Sequence, residues 1–181
     1  MDNGKISVRY ARALLHTAMQ EQCADEVYAG LVRLTDNYQL AINDFNEALS
    51  NPMVGDDDKV KLLMTAIGEP VHPCLEHFLH FTATKKRINK MFLIALKYQE
   101  MYRKENHILR ADITSAVAMD EPTATRMQRF LEETFGCVIE MRPSIDPALI
   151  GGFTIDLEND RMDASISGRL KKVREELGVK S

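Results

Sequence analysis

The sequence lacks a long apolar run, an excess of positive charge and an even set of cysteines. No apolar run approaches the roughly 18 residues that a helix needs to span a bilayer, so we expect no membrane-spanning segment. The 23 basic and 27 acidic residues give a net charge of −4, which argues against a nucleic-acid partner. Cys23, Cys74 and Cys137 are widely spaced, a pattern typical of reduced cytoplasmic thiols rather than of a disulfide framework.

The short motifs that mark common chemistries are also missing. The sequence has no Gly-x-x-x-x-Gly-Lys phosphate loop and no Gly-x-Gly-x-x-Gly fingerprint after a strand. The pair Gly151-Gly152 precedes a predicted strand, so it lacks the helix N-terminus that would cradle a phosphate. Ser165 and Ser167 stand at a predicted helix start, where serine caps the helix, rather than in a nucleophile elbow. We therefore expect no catalytic residue, no cofactor and no metal.

The first half of the chain shows the periodicity of α-helices. Apolar residues spaced three and four apart predict five or six helices before about residue 107, and a bundle is their simplest arrangement. The predicted segments are Ile6–Gln20, Ala24–Asn43, a short turn over Asp44–Ser50, a helix from Asp56 through Ile67, Leu75–Ala83 and Ile88–Glu105.

The period of the pattern changes to two after Asn106. A strand is predicted from Leu109 to Val117, followed by a helix from Asp120 to Phe135. That helix is expected to turn Met127, Phe130, Leu131 and Phe135 inward. Further strands are predicted at Cys137–Met141, Phe153–Leu157 and Arg161–Asp163, with a last helix lined by Ile166, Leu170, Val173 and Leu177. The fold class is α+β, with a six-helix bundle over residues 1–106 and a small mixed α/β domain over residues 107–181.

One cluster of metal-type ligands offers an alternative function. His72, Cys74, His77 and His80 lie close together in sequence, and His77 and His80 share a helix face. The competing interpretation is a histidine-rich helix edge beside a free cysteine. We favour it because no second ligand cluster completes a tetrahedral site. A metal-binding enzyme built on these four residues remains the alternative.

The first predicted helix is apolar or small around about two-thirds of its circumference, at about 100° per residue. One arc carries Ile6, Tyr10, Ala13, Leu14 and Thr17, and the nearly opposite arc carries Val8, Ala11, Leu15, Ala18 and Met19. Either the helix is wrapped by its own bundle, or one arc binds a helix of another protein. The pattern alone favours neither.

Several segments resemble one known family in the right order along almost the whole chain. Arg9–Leu14 resembles the opening helix of the delta subunit of F-type ATP synthase, whose mitochondrial relative is the oligomycin-sensitivity-conferring protein. Asn51-Pro52 and Arg87-Ile88 are similar to later breaks and helices of that family. The specific match is Ile145–Ile155 followed by Asp163–Leu170. Its signature positions are Gly151, Gly152, Phe153, Asp163, Ser165 and Gly168.

The resemblance implies a non-catalytic stator subunit of the peripheral stalk. Such a subunit holds the catalytic head to the membrane-anchored stalk, so that proton-driven rotation is coupled to ATP synthesis. Its implied partners are the N-terminal helix of an alpha subunit and the b-subunit dimer. Its implied location is peripheral, on the cytoplasmic face of a bacterial cell membrane, and the absence of a transit-peptide pattern favours the bacterial form.

The resemblance also assigns the binding residues. The alpha-subunit helix is expected in a groove formed by Ile6, Tyr10, Ala13, Leu14, Phe78 and Phe81. We expect the b-subunit stalk to bind a basic stretch of the last helix, formed by Arg169, Lys171, Lys172 and Arg174. The rival to this interpretation is an unrelated two-domain adaptor protein, which would fail to bind an alpha subunit.

Overall fold

The chain forms two compact units, Met1–Glu105 and Asn106–Ser181. The computed structural model describes residues 3–149, 152–157 and 160–163. The first unit is helical and the second is a sheet with a helix, so the predicted α+β class is confirmed. Among the described residues, no helix combines the length and the apolar character needed to cross a membrane.

Six α-helices and one short 3₁₀ turn form the described part of the first unit. They are α1 (Asn3–Gln20), α2 (Ala24–Leu40), α3 (Ile42–Ser50), α4 (Asp56–Ile67), α5 (Pro73–Thr84), the 3₁₀ turn (Ile88–Lys90) and α6 (Met91–Glu105). The second predicted helix was too long, because the chain breaks at Ala41 and starts α3 immediately afterwards. The helix predicted to begin at Ile88 begins as the 3₁₀ turn.

Local sequence explains where α4 and α5 begin. Three acidic residues, Asp56, Asp57 and Asp58, occupy the first turn of α4, where the helix dipole favours negative charge. Pro73 opens α5 at a position whose backbone N–H would be unpaired in any case. The His72 side chain then caps α5, since its Nδ1 accepts a hydrogen bond from the Cys74 backbone N–H at 3.2 Å.

The core of the first unit lies where α1 and α2 pack against α6, and α4 packs against α2 and α5. It is filled by buried side chains that include Leu31, Leu34, Leu63, Leu79, Ile94 and Tyr98. The polar side chain of Gln99 is also buried there: its Nε2 donates to the Leu31 carbonyl at 3.0 Å and to Thr35 Oγ1 at 2.9 Å. These bonds tie α6 to α2 and satisfy the buried amide.

The second unit is built on a four-stranded sheet in the order β2-β1-β3-β4. Its described elements are β1 (Ile108–Ser115), α7 (Glu121–Phe135), β2 (Val138–Ile145), a 3₁₀ turn (Pro147–Leu149), β3 (Phe153–Leu157) and β4 (Asp160–Asp163). The central strand β1 pairs in parallel with β2 and antiparallel with β3. The helix α7 connects the parallel pair, as parallel strands require. The predicted last helix lies outside the described residues.

The core of the second unit uses one face of the sheet and one stripe of α7. Ala111, Ile113, Ile139, Ile155, Leu157 and Leu131 are buried together, with Met127 packed beside them. The prediction that Phe130 and Phe135 point inward was wrong, since they are 62% and 41% exposed. Phe130 lies about 100° around the helix from Leu131, and a flat sheet covers only a narrow helical stripe. Val117, the last residue of the predicted first strand, lies beyond β1 and is 73% exposed.

Candidate functional site

Helices α1 and α5 run antiparallel and form the walls of an apolar groove. Near one end, the Tyr10 ring lies 6.4 Å from the Phe78 ring and 6.0 Å from the Phe81 ring, measured between centroids. Near the other end, the side chains of Glu21 and Cys74 meet. We call this surface, lined by Tyr10, Ala13, Leu14, Thr17, His77, Phe78 and Phe81, the α1–α5 groove.

The groove contains a cavity of about 280 Å³. Its lining residues are Ala13, Leu14, Thr17, Glu21, Cys74, His77, Phe78 and Phe81. Four of the six residues predicted to form a groove therefore line this one cavity, and Tyr10 joins them through its ring contacts. Ile6 is half-buried one turn earlier on α1.

Exposure divides the groove into a floor and two walls. Leu14 is only 2% exposed, so it forms part of the floor of the groove. The sequence pattern had instead suggested that it faces outward with Tyr10. Tyr10 and Phe78 are half-buried, and Phe81 is 49% exposed. The buried stripe of α1 is Ser7, Ala11, Leu14, Leu15 and Ala18. Met19, which the pattern placed on the same arc as Ala11 and Ala18, is 41% exposed.

The two ends of the groove differ in charge. At the aromatic end, Lys85 Nζ lies 5.7 Å from the centroid of the Phe81 ring, and Arg9 Cζ lies 5.9 Å from the centroid of the Tyr10 ring. Both distances are within the range of cation–π attraction. At the opposite end, Glu21 supplies a carboxylate. The groove is therefore apolar along its length, basic at one end and acidic at the other.

The cluster of metal-type ligands that supported the alternative function does not assemble. Within the part of the chain that the structure describes, His72, Cys74, His77 and His80 do not bring three ligand atoms within 4.8 Å of one another. His72 instead caps α5, His77 is exposed and lines the groove, and His80 is exposed on the same helix. This arrangement removes the ligand set on which the metal-enzyme alternative depended.

A different group of ligand-type side chains does come together. The ligand atoms of Glu21, Cys23 and Cys74 all lie within 4.8 Å of one another. Sequence reasoning missed this group because Cys23 and Cys74 are far apart in the chain, and no local pattern pairs them. Burial raises the pKa of Cys23, and chiefly burial raises that of Cys74 to about 12, with the neighbouring Cys23 thiol and Glu21 carboxylate adding to the rise.

The signature positions of the second unit are described only in part. Gly152 adopts a positive φ of 82° immediately before β3, a conformation that favours glycine. Phe153 packs against the core of the unit, and Asp163 lies opposite Thr154 in the β3–β4 ladder. Gly151, Ser165 and Gly168 lie outside the described residues, as do the predicted stalk-binding residues Arg169, Lys171, Lys172 and Arg174.

The fold and the groove define an α+β protein whose helical unit exposes an apolar surface between two helices. Residues 6–177 match the family model described as ATP synthase delta (OSCP) subunit. The chain is 37% identical over 174 residues to the ATP synthase subunit delta of Parabacteroides distasonis, covering 96% of each sequence. It is 31% identical to the ATP synthase subunit delta of Bacteroides fragilis, covering 97% of this chain and 95% of the relative.

A solved structure shares the fold. A chain in the cryo-EM structure of the Toxoplasma gondii mitochondrial ATP synthase hexamer superimposes with a TM-score of 0.66 at 17% sequence identity, covering 97% of this chain and 98% of that one. The chain belongs to the ATP synthase delta (OSCP) subunit family. It is accordingly a peripheral-stalk component of an F-type ATP synthase and associates with other subunits of that complex.

Proposed function

We propose that the chain is a non-catalytic connector between the head and the stalk of the synthase. The α1–α5 groove binds the N-terminal helix of an alpha subunit, and the second unit binds the b-subunit dimer. The chain then lies on the cytoplasmic face of a bacterial cell membrane, where it prevents the head from turning with the rotor.

The observation that carries the head contact is the open aromatic groove. Tyr10, Phe78 and Phe81 contact one another, yet all three keep exposed ring surface above the buried Leu14. An amphipathic helix bound there covers that surface at about 25 cal/mol per Å², before the costs of association. Exposed His77 and His80 then form a polar rim beside the apolar contact.

The charge at the two ends of the groove favours one direction for the bound helix. A helix carries partial positive charge at its N-terminus and partial negative charge at its C-terminus. The bound helix is therefore oriented with its N-terminus beside Glu21 and its C-terminus beside Lys85 and Arg9.

Binding of a synthetic peptide with the sequence of the alpha-subunit N-terminus tests the head contact. Tyr10→Asp and Phe81→Asp each place a carboxylate in the apolar groove, and each is expected to weaken binding by about 30-fold or more, the loss typical of a central anchor residue. Phe81 is 49% exposed, so its replacement leaves the core of the bundle intact. Calorimetry gives the affinities.

The matched control is Phe130→Asp, which changes an equally apolar and 62% exposed ring in the other unit. It should leave the affinity for the peptide unchanged. Far-ultraviolet circular dichroism confirms that each variant is folded. Wild-type affinity in both groove variants would refute the proposed contact.

The basic stretch Arg169–Arg174 supports the stalk contact, because four cations in six residues stand out in a chain of net charge −4. Such a patch suits an acidic partner surface and speeds association through electrostatic steering. Neutralising Arg169, Lys171, Lys172 and Arg174 to glutamine is expected to weaken binding to the b-subunit dimer and to reduce its salt dependence. The charge-retaining variant with Arg169→Lys and Arg174→Lys is the control, and equal binding by both variants would contradict the assignment.

A further inference from the structure

Three side chains from two helix junctions converge at the acidic end of the α1–α5 groove. One ligand atom each from Glu21, Cys23 and Cys74 lies within 4.8 Å of the other two. Thiolate and carboxylate ligands on a tetrahedral zinc ion are about 3.5–3.8 Å apart, given metal–ligand bonds of about 2.0–2.3 Å. The observed spacing therefore reaches coordination distance through side-chain adjustments of about 1 Å.

The backbone holds these three residues in defined positions. Helix α1 ends in a Schellman turn, in which the Cys23 N–H donates to the Ala18 carbonyl at 2.9 Å and the Gln22 N–H donates to the Met19 carbonyl at 3.2 Å. Gln22 takes a left-handed φ of 55°, which reverses the chain between Glu21 and Cys23. Cys74 is held on the facing segment by the His72 cap of α5.

Both sulfur atoms also lie at helix N-termini. Cys23 stands at the N-cap of α2, and its carbonyl accepts from the Val27 N–H at 3.0 Å. Cys74 lies in the first turn of α5. The positive ends of the two helix dipoles point toward the cluster and favour the negative charge that thiolate ligands carry.

The three residues differ in burial, so the two thiols lie inside the site and the carboxylate lies at its entrance from solvent. Cys23 and Cys74 are 3% and 7% exposed, whereas Glu21 is exposed. The cavity of the groove touches Glu21, Cys74 and His77, so an ion entering from solvent meets the carboxylate first and the thiols behind it. Water or the His77 ring can supply a fourth ligand from the same cavity.

We propose that Glu21, Cys23 and Cys74 form a binding site for a thiophilic divalent cation of the zinc class, which joins the α1–α2 turn to the start of α5. One ion replaces the two thiol protons, which leave to solvent, and the site becomes a dithiolate–carboxylate complex with a net charge of −1. No electron is transferred. The ion is structural, and its binding does not depend on the proposed contact with an alpha subunit.

A disulfide between the same cysteines is the competing use of this cluster. The convergence of the Glu21 carboxylate favours the cation, because a disulfide requires only the two sulfur atoms. The Glu21 carboxylate and the two thiols already lie within 4.8 Å of one another, where one cation can take the place of the two thiol protons.

Titration of the reduced, chelator-treated full chain with Co²⁺ tests the site, with Zn²⁺ as the competitor. We expect one Co²⁺ per chain, a thiolate-to-cobalt charge-transfer band in the near ultraviolet, and loss of that band when Zn²⁺ is added. A pH-stat should record two protons released per ion. Thermal unfolding of the Zn²⁺-loaded chain should shift to higher temperature, since a ligand that binds only the native state stabilises it.

Single substitutions identify which side chains bind the ion. Cys23→Ser and Cys74→Ser should abolish the charge-transfer band, whereas Cys137→Ser, which removes the thiol of the second unit, should leave it unchanged. Glu21→Gln changes an exposed side chain and should weaken binding about tenfold or more while the chain stays folded, at the lower end of the loss seen when metal-site partners are removed.

Several outcomes would overturn the proposal. These are the absence of a saturable band, a band that persists in Cys23→Ser or Cys74→Ser, and wild-type affinity in Glu21→Gln. A freshly purified chain with only one free thiol would show a disulfide instead of a cation site. Since peptide binding in the groove is measured separately, failure here leaves the alpha-subunit contact untouched.

Discussion

Single residues decide how two of the helices end. Gln22 and Lys86 both occupy the position after a helix that takes a left-handed φ, each at 55°. At the second position, the Arg87 N–H donates to the Thr82 carbonyl at 2.8 Å, so α5 ends in the same Schellman turn as α1. Glycine is the usual residue there because its lack of Cβ removes the strain. In this chain, Gly136 fills the corresponding position after α7, with a φ of 66°.

The first prediction concerns these two strained positions. Gln22→Gly should increase the free energy of unfolding by about 0.5 kcal/mol, because the relief of left-handed strain exceeds the extra entropy of an unfolded glycine. Lys86→Gly should gain less, since it also removes the exposed ion pair with Asp56, which contributes about 0–1 kcal/mol. Urea unfolding monitored by circular dichroism measures both. A larger gain for Lys86→Gly would contradict the ranking.

Residue-level chemistry was the part of the site least accessible to sequence reasoning. The histidines near Cys74 looked like ligands because they are close in sequence, but they follow the surface of α5. The true neighbour of Cys74 is Cys23, which meets it only because α1 and α5 pack side by side. A contact between distant segments leaves no local period or motif, and a single sequence therefore cannot reveal it.

Whole elements were more predictable, because periodicity reports which face of a helix or strand is buried. The pattern of α1 correctly indicated two apolar arcs, and the structure shows that one faces the bundle and the other lines the groove. The pattern failed on α7, where the sheet buries a narrower stripe of the helix than its apolar arc and leaves Phe130 exposed. Leu14 lies between the two arcs, so it lines the cavity as predicted and is buried as well.

The second prediction concerns the contact between α2 and α6. In Gln99→Glu, a carboxylate faces the two acceptors that the Gln99 amide now satisfies, the Leu31 carbonyl and Thr35 Oγ1. At neutral pH the buried, unpaired charge should destabilise the chain by about 3 kcal/mol or more. Gln99→Leu should cost less, about 1–2 kcal/mol, since Thr35 Oγ1 keeps its own bond to the Val32 carbonyl.

The sign of the pH dependence distinguishes the two Gln99 variants. Burial among acceptors raises the pKa of the introduced carboxyl, so its protonated form is favoured in the folded state. The stability of Gln99→Glu should therefore be highest at acidic pH and fall as pH rises toward neutrality, relative to Gln99→Leu. Urea midpoints measured from pH 4 to pH 8 give the difference. A constant gap between the variants would contradict the prediction.

The third prediction concerns the junction of α1, α2 and α5 in the metal-free chain. The pKa of Cys74 is raised from an ordinary 9.0 to about 12, chiefly by burial, and that of Cys23 is raised as well. Above pH 9 the unfolded chain loses thiol protons that the folded chain retains. The contribution of these thiols to the free energy of unfolding should therefore be fully present below pH 9 and fall as pH rises toward 12. Chemical denaturation at a series of alkaline pH values measures this decline.

Cys74→Ala is the variant that isolates the thiol. The decline between pH 9 and 10 should become shallower in it, whereas Cys137→Ala should keep the wild-type slope. Burial also raises the pKa values of Tyr98 and Tyr102, and these groups contribute chiefly above pH 10, where unfolded tyrosine ionises. An unchanged slope in Cys74→Ala between pH 9 and 10 would show that its thiol is not the titrating group.

At the scale of the whole molecule, the two proposed contacts are made by different units. Every residue of the α1–α5 groove lies within Met1–Glu105, and the basic stretch assigned to the stalk lies within Asn106–Ser181. The first unit also has its own buried core, which includes Leu31, Ile94 and Tyr98. A connector that binds each partner through a different unit can transmit torque between the two partners.

The fourth prediction follows from that division. A fragment ending at Glu105 should fold on its own, because its core is complete, and should bind the alpha-subunit peptide within about threefold of the affinity of the full chain, a difference of less than 1 kcal/mol. It should lose binding to the b-subunit dimer, since the basic stretch is removed. Calorimetry with each partner measures both effects. A folded fragment whose peptide affinity falls tenfold or more would show that the second unit contributes to the head contact, and the assignment of one surface to each partner would have to be abandoned.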